Sequence, residues 1–547
     1  MRFAPLLLAL LCVAVLFTGL DRVPRLDQRE ARDALVAREL IQRHEPLTPL
    51  LRGDAWFEKP VAAYVGDVLT WAPGEQWTVR SRALRAGVAA VLLLLVASIG
   101  AEHFGARAGW LAAGVLATTL GLPVASRTDG AQLLATLLAW VGVSGLADAT
   151  FGRRPGRDAR LVVSYGALGV TLLVAGPLPA LGPLGGVALY GALARRGDVM
   201  RNVRPLPGLL IAGGVALPWY AILGERYGGR FLAHVPWFPY ATEPAGAWYA
   251  GAALTVSLFV VAMFPWSALL PGALLHAATW WRLPRVAGVA PAADADANGP
   301  LARERREENA AHFFIACLIA ALVPIALYRS PPLPAALPAL PAAALLCARL
   351  LDHVFENAQR VARVVSRAVF LLGLVGSTAA MLLALVAPRL GDAAAAPMRA
   401  IAALTLVSTW LPFLASFAGR PRLAVTLIAL PVALGTPFVA YRLLPALDGY
   451  LTSAPVADVM NAEAPPLATL VTLEPPPPSL LLASRHNVVV ADSLAGALVN
   501  ERADDGRTYV AFRPAREHDV IDAARTPLDV LLRTPTLVLA RVTIAPR

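Results

Sequence analysis

Long apolar runs separated by short, arginine-rich polar segments recur along most of the chain. At roughly 20 apolar residues per crossing, the pattern predicts about thirteen transmembrane helices. They fall at 3–20, 84–102, 107–122, 129–149, 161–177, 179–194, 206–223, 246–272, 309–327, 333–351, 365–387, 399–418 and 423–443. No small-residue cleavage site follows the first run before Asp21, so it is read as a retained helix and not as a signal peptide. Residues 21–83 form a long polar loop with two amphipathic stretches, Glu30–Gln42 and Val61–Leu69, suited to a membrane interface.

Alternate loops are basic. Arg153, Arg154, Arg157 and Arg160 mark one, Arg195, Arg196, Arg201 and Arg204 the next. Arg282, Arg285, Arg303, Arg305 and Arg306 follow, then Arg349, Arg360, Arg363 and Arg367, then Arg420 and Arg422. The positive-inside rule makes these loops cytoplasmic and puts the 21–83 loop on the exterior. An odd number of spans then places the segment after about residue 444 outside as well. That segment changes character: a Pro-rich hinge, Glu474–Ser479, precedes the apolar runs Leu480–Ala483, Asn487–Ala491 and Thr536–Val542, which read as strands of a small α/β domain. The chain therefore divides into a transmembrane domain, 1–443, and an exterior C-terminal domain, 444–547. Gly288–Gly299, rich in Ala, Asp, Gly and Pro, reads as a flexible cytoplasmic loop.

Composition agrees with a polytopic α-helical membrane protein: 57% hydrophobic residues, 16% charged residues and a mean hydropathy of +0.59. The net charge of +11 would point to nucleic acid in a soluble protein, but here the arginines are accounted for by the short loops, so no nucleic-acid partner is expected. Cys12, Cys317 and Cys347 all fall inside apolar runs, which excludes a disulfide framework between loops. Charges within the predicted spans are scarce, which argues against a secondary transporter.

One residue breaks the basic pattern. Of 48 basic residues only Lys59 is a lysine, and it stands in Trp56-Phe57-Glu58-Lys59-Pro60 within the exterior loop. Arginine is a planar fork, lysine a compact ammonium that acts as a point charge toward phosphate. A chain that uses arginine everywhere else points to a specific task for this lysine; the alternative is a solvated surface charge.

The same loop resembles the type C membrane glycosyltransferases of the protein O-mannosyltransferase and aminoarabinose (lipid A) transferase superfamily. The family's first loop reads D-E-A-R-Y, A-R-E-M and F-E-K-P-P; here stand Arg29-Glu30-Ala31-Arg32-Asp33, Ala37-Arg38-Glu39-Leu40 and Phe57-Glu58-Lys59-Pro60, with Val61 in place of the second proline. The resemblance continues through Phe104-Gly105-Ala106-Arg107-Ala108-Gly109, Arg127-Thr128-Asp129 and Pro265-Trp266-Ser267.

The resemblance implies a type C fold in a bacterial inner membrane. It further implies transfer of a sugar from a polyprenyl-phosphate donor to a lipid, glycan or protein acceptor on the periplasmic face, by inverting displacement, with membrane lipids as surroundings. Charge growing on the departing phosphate calls for a cation, and the candidates are Lys59, Arg82 and Arg329. The acceptor's proton calls for a carboxylate. Arg29 stands where the family has its catalytic aspartate, so the candidates become Asp27, Glu30 and Asp129. Asp27 equally suits a solvated residue or a helix cap, and Asp129 a helix cap. No cofactor is required for catalysis. A family histidine matched by His234, with the glutamate matched by Glu58, can hold a structural zinc; Trp237 replaces the arginine of that motif, and Ala335 or Ala336 the tyrosine of the motif near Arg329. These departures keep open a second reading, a non-catalytic relative that binds the lipid carrier as an assembly subunit.

Overall fold

The computed structural model describes residues 4–24, 27–72, 76–151, 156–238, 248–278, 300–327, 331–356, 358–491, 507–524 and 528–543. Helix occupies every one of the predicted apolar runs. Among the described residues nine helices are long and apolar enough to cross a membrane. Two bent pairs pass the same test of length and composition together, Ala106–Ala117 with Gly121–Thr128 at 59° and Ala250–Met263 with Trp266–Ala277 at 116°, which makes eleven crossings if each is one span. Two shorter apolar helices, Pro5–Phe17 and Pro177–Leu193, fill the remaining predicted runs. The side chains that face outward from this bundle are large and apolar, Leu94, Leu210, Leu382 and Phe417 among them, as a lipid-facing surface requires.

The two bent pairs break where they meet. A broken helix leaves backbone groups unpaired, which lipid cannot satisfy. Here the Leu120 N–H donates to the Phe264 carbonyl at 2.8 Å, and the Trp266 indole N–H donates to Thr118 Oγ1 at 2.9 Å. Pro265-Trp266-Ser267 is thus a structural joint. In the motif 104–109, Arg107 pairs with Asp352 and Glu356 at the far end of the bundle. Gly109 allows close packing, since a Cβ there would lie 2.3 Å from the Ala97 carbonyl oxygen.

The 21–83 loop is less of a loop than its polarity suggests. It holds the π-helical turn Asp27–Ala31, running on into helix α1 (Arg32–Gln42). The two-residue strands β1 (Leu50–Leu51) and β2 (Asp54–Ala55) form a hairpin, and a 3₁₀ turn Val61–Tyr64 leads into helix α2 (Val65–Thr70). Both amphipathic stretches are therefore helical. The loop also ends earlier than expected: helix α3 starts at Gln76 and runs to Phe104, so Arg80, Arg82 and Arg85 sit on its first turns. Helix α4 (Gly121–Thr128) and helix α5 (Gly130–Phe151) meet at Asp129.

Beyond residue 444 the chain forms a five-stranded mixed sheet with strands β3 (Thr469–Thr472), β4 (Asn487–Val490), β5 (Arg507–Phe512), β6 (Asp529–Arg533) and β7 (Val538–Thr543), in the order β4-β3-β5-β7-β6. Alternate residues feed two small cores. Leu470, Tyr509 and Leu539 face Val456 and Met460, while Val471, Val510 and Val538 face Val520. The sequence predicts a strand at Leu480–Ala483; the structure has a helix, Pro478–Ala483. The reason is topological. Strands β3 and β4 are parallel, so the chain must cross back between them, and a crossover is usually helical. That helix packs against α1 and the turn before it, holding the sheet at the end of the bundle that carries the 21–76 segment.

Gly288–Gly299 and Arg329 lie outside the described residues, as do the side chains of Asp27 and Trp237.

Candidate active site

One helical turn carries four alternating charges, Arg29, Glu30, Arg32 and Asp33, and each meets its opposite from a different part of the chain. Arg29 donates to Asp129 at 3.1 Å, Arg32 to Glu58 at 2.6 Å, and Asp33 accepts from Lys59 at 2.7 Å. Glu30 takes a two-pronged pair from Arg82, at 2.8 and 2.6 Å. Arg85 adds a longer contact to Glu30 at 3.5 Å and a bond to Asp67 at 2.7 Å, and Ser81 donates to the same Asp67 oxygen. These pairs join five cations to five carboxylates, so the paired set is electrically neutral.

The supporting frame is built from neighbours. Phe57 anchors the Phe57-Glu58-Lys59-Pro60 segment in an aromatic nest with Tyr227 and Phe231, ring centroids 5.1 and 5.3 Å away. Trp56 lies under the Arg32 guanidinium. With Phe57 and Trp56 fixed, Glu58 and Lys59 are aimed at consecutive positions of α1. Asp129 closes α4 and opens α5, where its Oδ1 accepts the Gln132 N–H at 3.1 Å, so it caps and pairs at once. Gly130 makes room for Arg85, whose Nε would lie 2.8 Å from a Cβ at that position.

Arg82 has another task than the phosphate contact expected of it. It is 1% exposed, and all five of its N–H donors are spent. Two serve Glu30 and three serve the carbonyls of Leu20, Val23 and Pro24, where the chain leaves the first helix. A guanidinium with no donor left cannot receive phosphate without dismantling that junction. Glu30 is likewise 0% exposed and held on both oxygens. Arg127 bonds the carbonyls of Pro123 and Thr18, a further clamp on the same junction.

Lys59 is different. It is 1% exposed, yet among the described residues its ammonium has one hydrogen-bond partner, Asp33, for three donors. Burial pulls its pKa down, but Asp33, Asp129 and Glu58 more than offset this and hold it above the ordinary lysine value. Burial pushes the Asp33 carboxyl up, with Lys59 pulling back. Glu58 is pushed up by burial too, against the pull of Lys59 and Arg32. The structure thus gathers Lys59, Glu30, Asp129, Arg82 and Glu58 into one cluster. It adds Asp33, at the tyrosine position of the first motif, and Asp67 and Arg85, which lie outside the motifs.

His234 stands apart from the ion pairs. Its ring lies 5.9 Å from that of Phe57, and its Nδ1 is 2.8 Å from the Arg230 carbonyl oxygen. Among the described residues no three His, Cys, Asp or Glu side chains are grouped to hold a metal ion. Glu58 has one oxygen on Arg32 and the other buried without a hydrogen-bond partner among the described residues. Among the described residues Glu58 and His234 would give a structural zinc only two ligands, fewer than the three or four it needs.

The cluster borders two cavities. One, of about 1100 Å³, separates it from the C-terminal sheet and is lined by Arg29, Thr128, Tyr450, Pro476, Arg513 and Thr536. The other, of about 630 Å³, is lined by Leu20, Val23, Arg82, Asp448, Thr452 and Asp458. A third, apolar crevice runs along α5 between Gln132, Trp140, Leu178, Pro183 and Ile325.

Superposition on solved structures gives a likeness over the entire length. ArnT from Cupriavidus metallidurans in the apo state is matched with a TM-score of 0.73 and 16% identity, covering 100% of this chain and 98% of that one. ArnT from the same organism bound to undecaprenyl phosphate is matched with a TM-score of 0.72 and 17% identity, covering 98% and 97%. The chain has the ArnT fold. This is the type C architecture implied by the loop motifs, with the sheet at its C-terminus included. An oligosaccharyltransferase of Archaeoglobus fulgidus is a more distant likeness, with a TM-score of 0.48, 12% identity, and coverage of 95% of this chain and 69% of that one. No family model matches the sequence, and no curated protein does.

Proposed function

We propose that this protein is a membrane glycosyltransferase that uses a polyprenyl-phosphate sugar as donor, and that Lys59 takes the carrier's phosphate. The observation that carries the reading is the chain's one lysine, buried inside a balanced ion-pair cluster with, among the described residues, two of its three donors unspent. An unspent buried donor costs about 1–3 kcal/mol, and a phosphate oxygen offers what two such donors lack. The matched ArnT structure bound to undecaprenyl phosphate supports a ligand of this class. The crevice along α5, apolar apart from Gln132, which lies one turn from Asp129, has the chemistry of a contact for a prenyl tail. The large cavity between the cluster and the C-terminal sheet suits an acceptor.

In the reaction the acceptor's hydroxyl oxygen bonds to the anomeric carbon, the carbon–phosphate oxygen bond breaks, and the electron pair leaves with the phosphate. Lys59 stabilises that developing charge, and a neighbouring carboxylate accepts the hydroxyl proton. By the distribution of arginines the site faces the exterior of the membrane. One observation favours a second reading, a carrier-binding protein without transfer: Arg29 occupies the position of the family's aspartate and is paired to Asp129. Purified wild-type and Lys59→Arg protein in detergent, titrated with undecaprenyl phosphate, test the shared premise. Binding by wild type and its loss in the variant are expected, and equal affinity would remove Lys59 from the site.

A further inference from the structure

Four of the five carboxylates in the cluster are held by arginine: Glu30 by Arg82 and Arg85, Glu58 by Arg32, Asp67 by Arg85, and Asp129 by Arg29. A guanidinium stays charged and keeps its fork geometry, so these pairs are fixed furniture. Asp33 alone bonds the lysine, and among the described residues it has no arginine partner. Its side chain is 8% exposed and that of Lys59 2%. The paired set is neutral, so an entering phosphate brings a charge that no pair within it balances. A cation able to turn toward it, a flexible ammonium with two donors unspent among the described residues, is the one now holding Asp33.

We propose that the Lys59–Asp33 pair is a latch operated by the carrier: the phosphate replaces Asp33 on Lys59, and the released Asp33 carboxylate becomes the proton acceptor of the site. The inference rests on the reading that Lys59 receives carrier phosphate. Neutrality is restored when one proton joins Asp33, and during transfer the acceptor's hydroxyl supplies that proton as its oxygen bonds to the anomeric carbon. Position supports the role. Asp33 lies one helical turn after Arg29, on the same face of the helix, so a carboxylate is kept near the place from which Arg29 has displaced the family's own. The groups that face Asp33 set its proton affinity: Lys59 and Glu58 from the segment after β2, Tyr64 and Asp67 around α2, Arg85 from α3 and Asp129 from the α4–α5 junction, while Arg32 on its own helix acts on Glu58 and Tyr64. With Lys59 turned away and a phosphate anion in its place, burial and like charge both favour the protonated form.

The experiment measures proton uptake on binding. Its probe is the methyl diester of undecaprenyl phosphate, which carries one fixed charge, has no ionisation of its own near neutrality and cannot donate a sugar. Binding to the full-length protein in detergent is followed by calorimetry in buffers of different ionisation enthalpy. Wild type is expected to take up a fraction of a proton at neutral pH, leaving part of the population with the charged carboxylate that accepts the hydroxyl proton, and its affinity is expected to rise as pH falls. Asp33→Asn is expected to bind at least as tightly at neutral pH, since no carboxylate competes for Lys59, and without that linkage. Binding by wild type with no proton uptake would overturn the latch and leave the carrier reading standing, a result that needs no variant to fold. An unchanged linkage in Asp33→Asn would also overturn it. Failure of wild type to bind would overturn the carrier reading and the latch with it.

Discussion

Removing Arg82 separates a structural guanidinium from a phosphate ligand. In Arg82→Met, Glu30 keeps, among the described residues, the 3.5 Å contact with Arg85 alone, and the carbonyls of Leu20, Val23 and Pro24 lose the Arg82 donors. Breaking one side of a buried ion pair costs about 3–5 kcal/mol, because the remaining charge is stranded. The Glu30 side chain, 0% exposed, places this case at the upper end. In the double variant Arg82→Met with Glu30→Leu the stranded charge is gone, so most of that loss should return, leaving the unpaired carbonyls at about 1–3 kcal/mol each where water does not reach them. The assay is thermal unfolding of purified protein in detergent, read as the midpoint of loss of monodispersity. The single variant should fall by several degrees and the double variant by less. If Arg82→Met unfolds at the wild-type temperature but loses undecaprenyl phosphate binding, Arg82 is a carrier ligand and the structural assignment fails.

Single-cysteine variants in a background with Cys12, Cys317 and Cys347 replaced test the topology. An impermeant thiol reagent applied to intact cells should label position 500 and not position 303, and the reverse would overturn the arginine-based orientation. Because burial raises the Asp33 carboxyl, its folded form binds protons more tightly than the unfolded chain. Its contribution to stability is therefore full below about pH 4 and is lost as pH rises through the folded value. Wild type should accordingly lose stability relative to Asp33→Asn as pH rises from about 4 through the raised folded value, and a gain measured by pH-dependent unfolding would contradict this sign. Exhaustive chelation should leave the unfolding midpoint unchanged, since Glu58 and His234 alone do not make a zinc site; a lowered midpoint would show a metal bound.

The spans are legible in the sequence because the bilayer imposes one length and one polarity on each of them. The breaks inside two of them are not. Their backbone groups are satisfied by partners some 145 residues away, as Leu120 is by Phe264, and a hydropathy pattern carries no trace of that. Lys59 is legible because it is a lone exception in composition. Its partner is not: Asp33 stands where the family motif has tyrosine, 26 residues from Lys59, and only the fold brings the two together. Arg82 and Glu30 are conspicuous as charges beside apolar runs, yet their use as a clamp on Leu20, Val23 and Pro24 depends on where the first helix ends. The strand expected at Leu480–Ala483 fails for a related reason. Its apolar residues suit strand or helix equally, and the parallel pairing of β3 with β4 decides between them.

The central claim, that a single buried lysine receives the carrier's phosphate, is tested most directly by the affinity of purified Lys59→Arg for undecaprenyl phosphate beside that of wild type. A surface lysine exchanged for arginine should shift affinity within about 0.5 kcal/mol, a little over twofold. At this buried position, bonded to Asp33, the wider guanidinium is expected instead to grip Asp33 as arginine grips the other four carboxylates, with a loss of affinity of at least tenfold and an unchanged unfolding midpoint. Equal affinity in the two proteins would contradict the account.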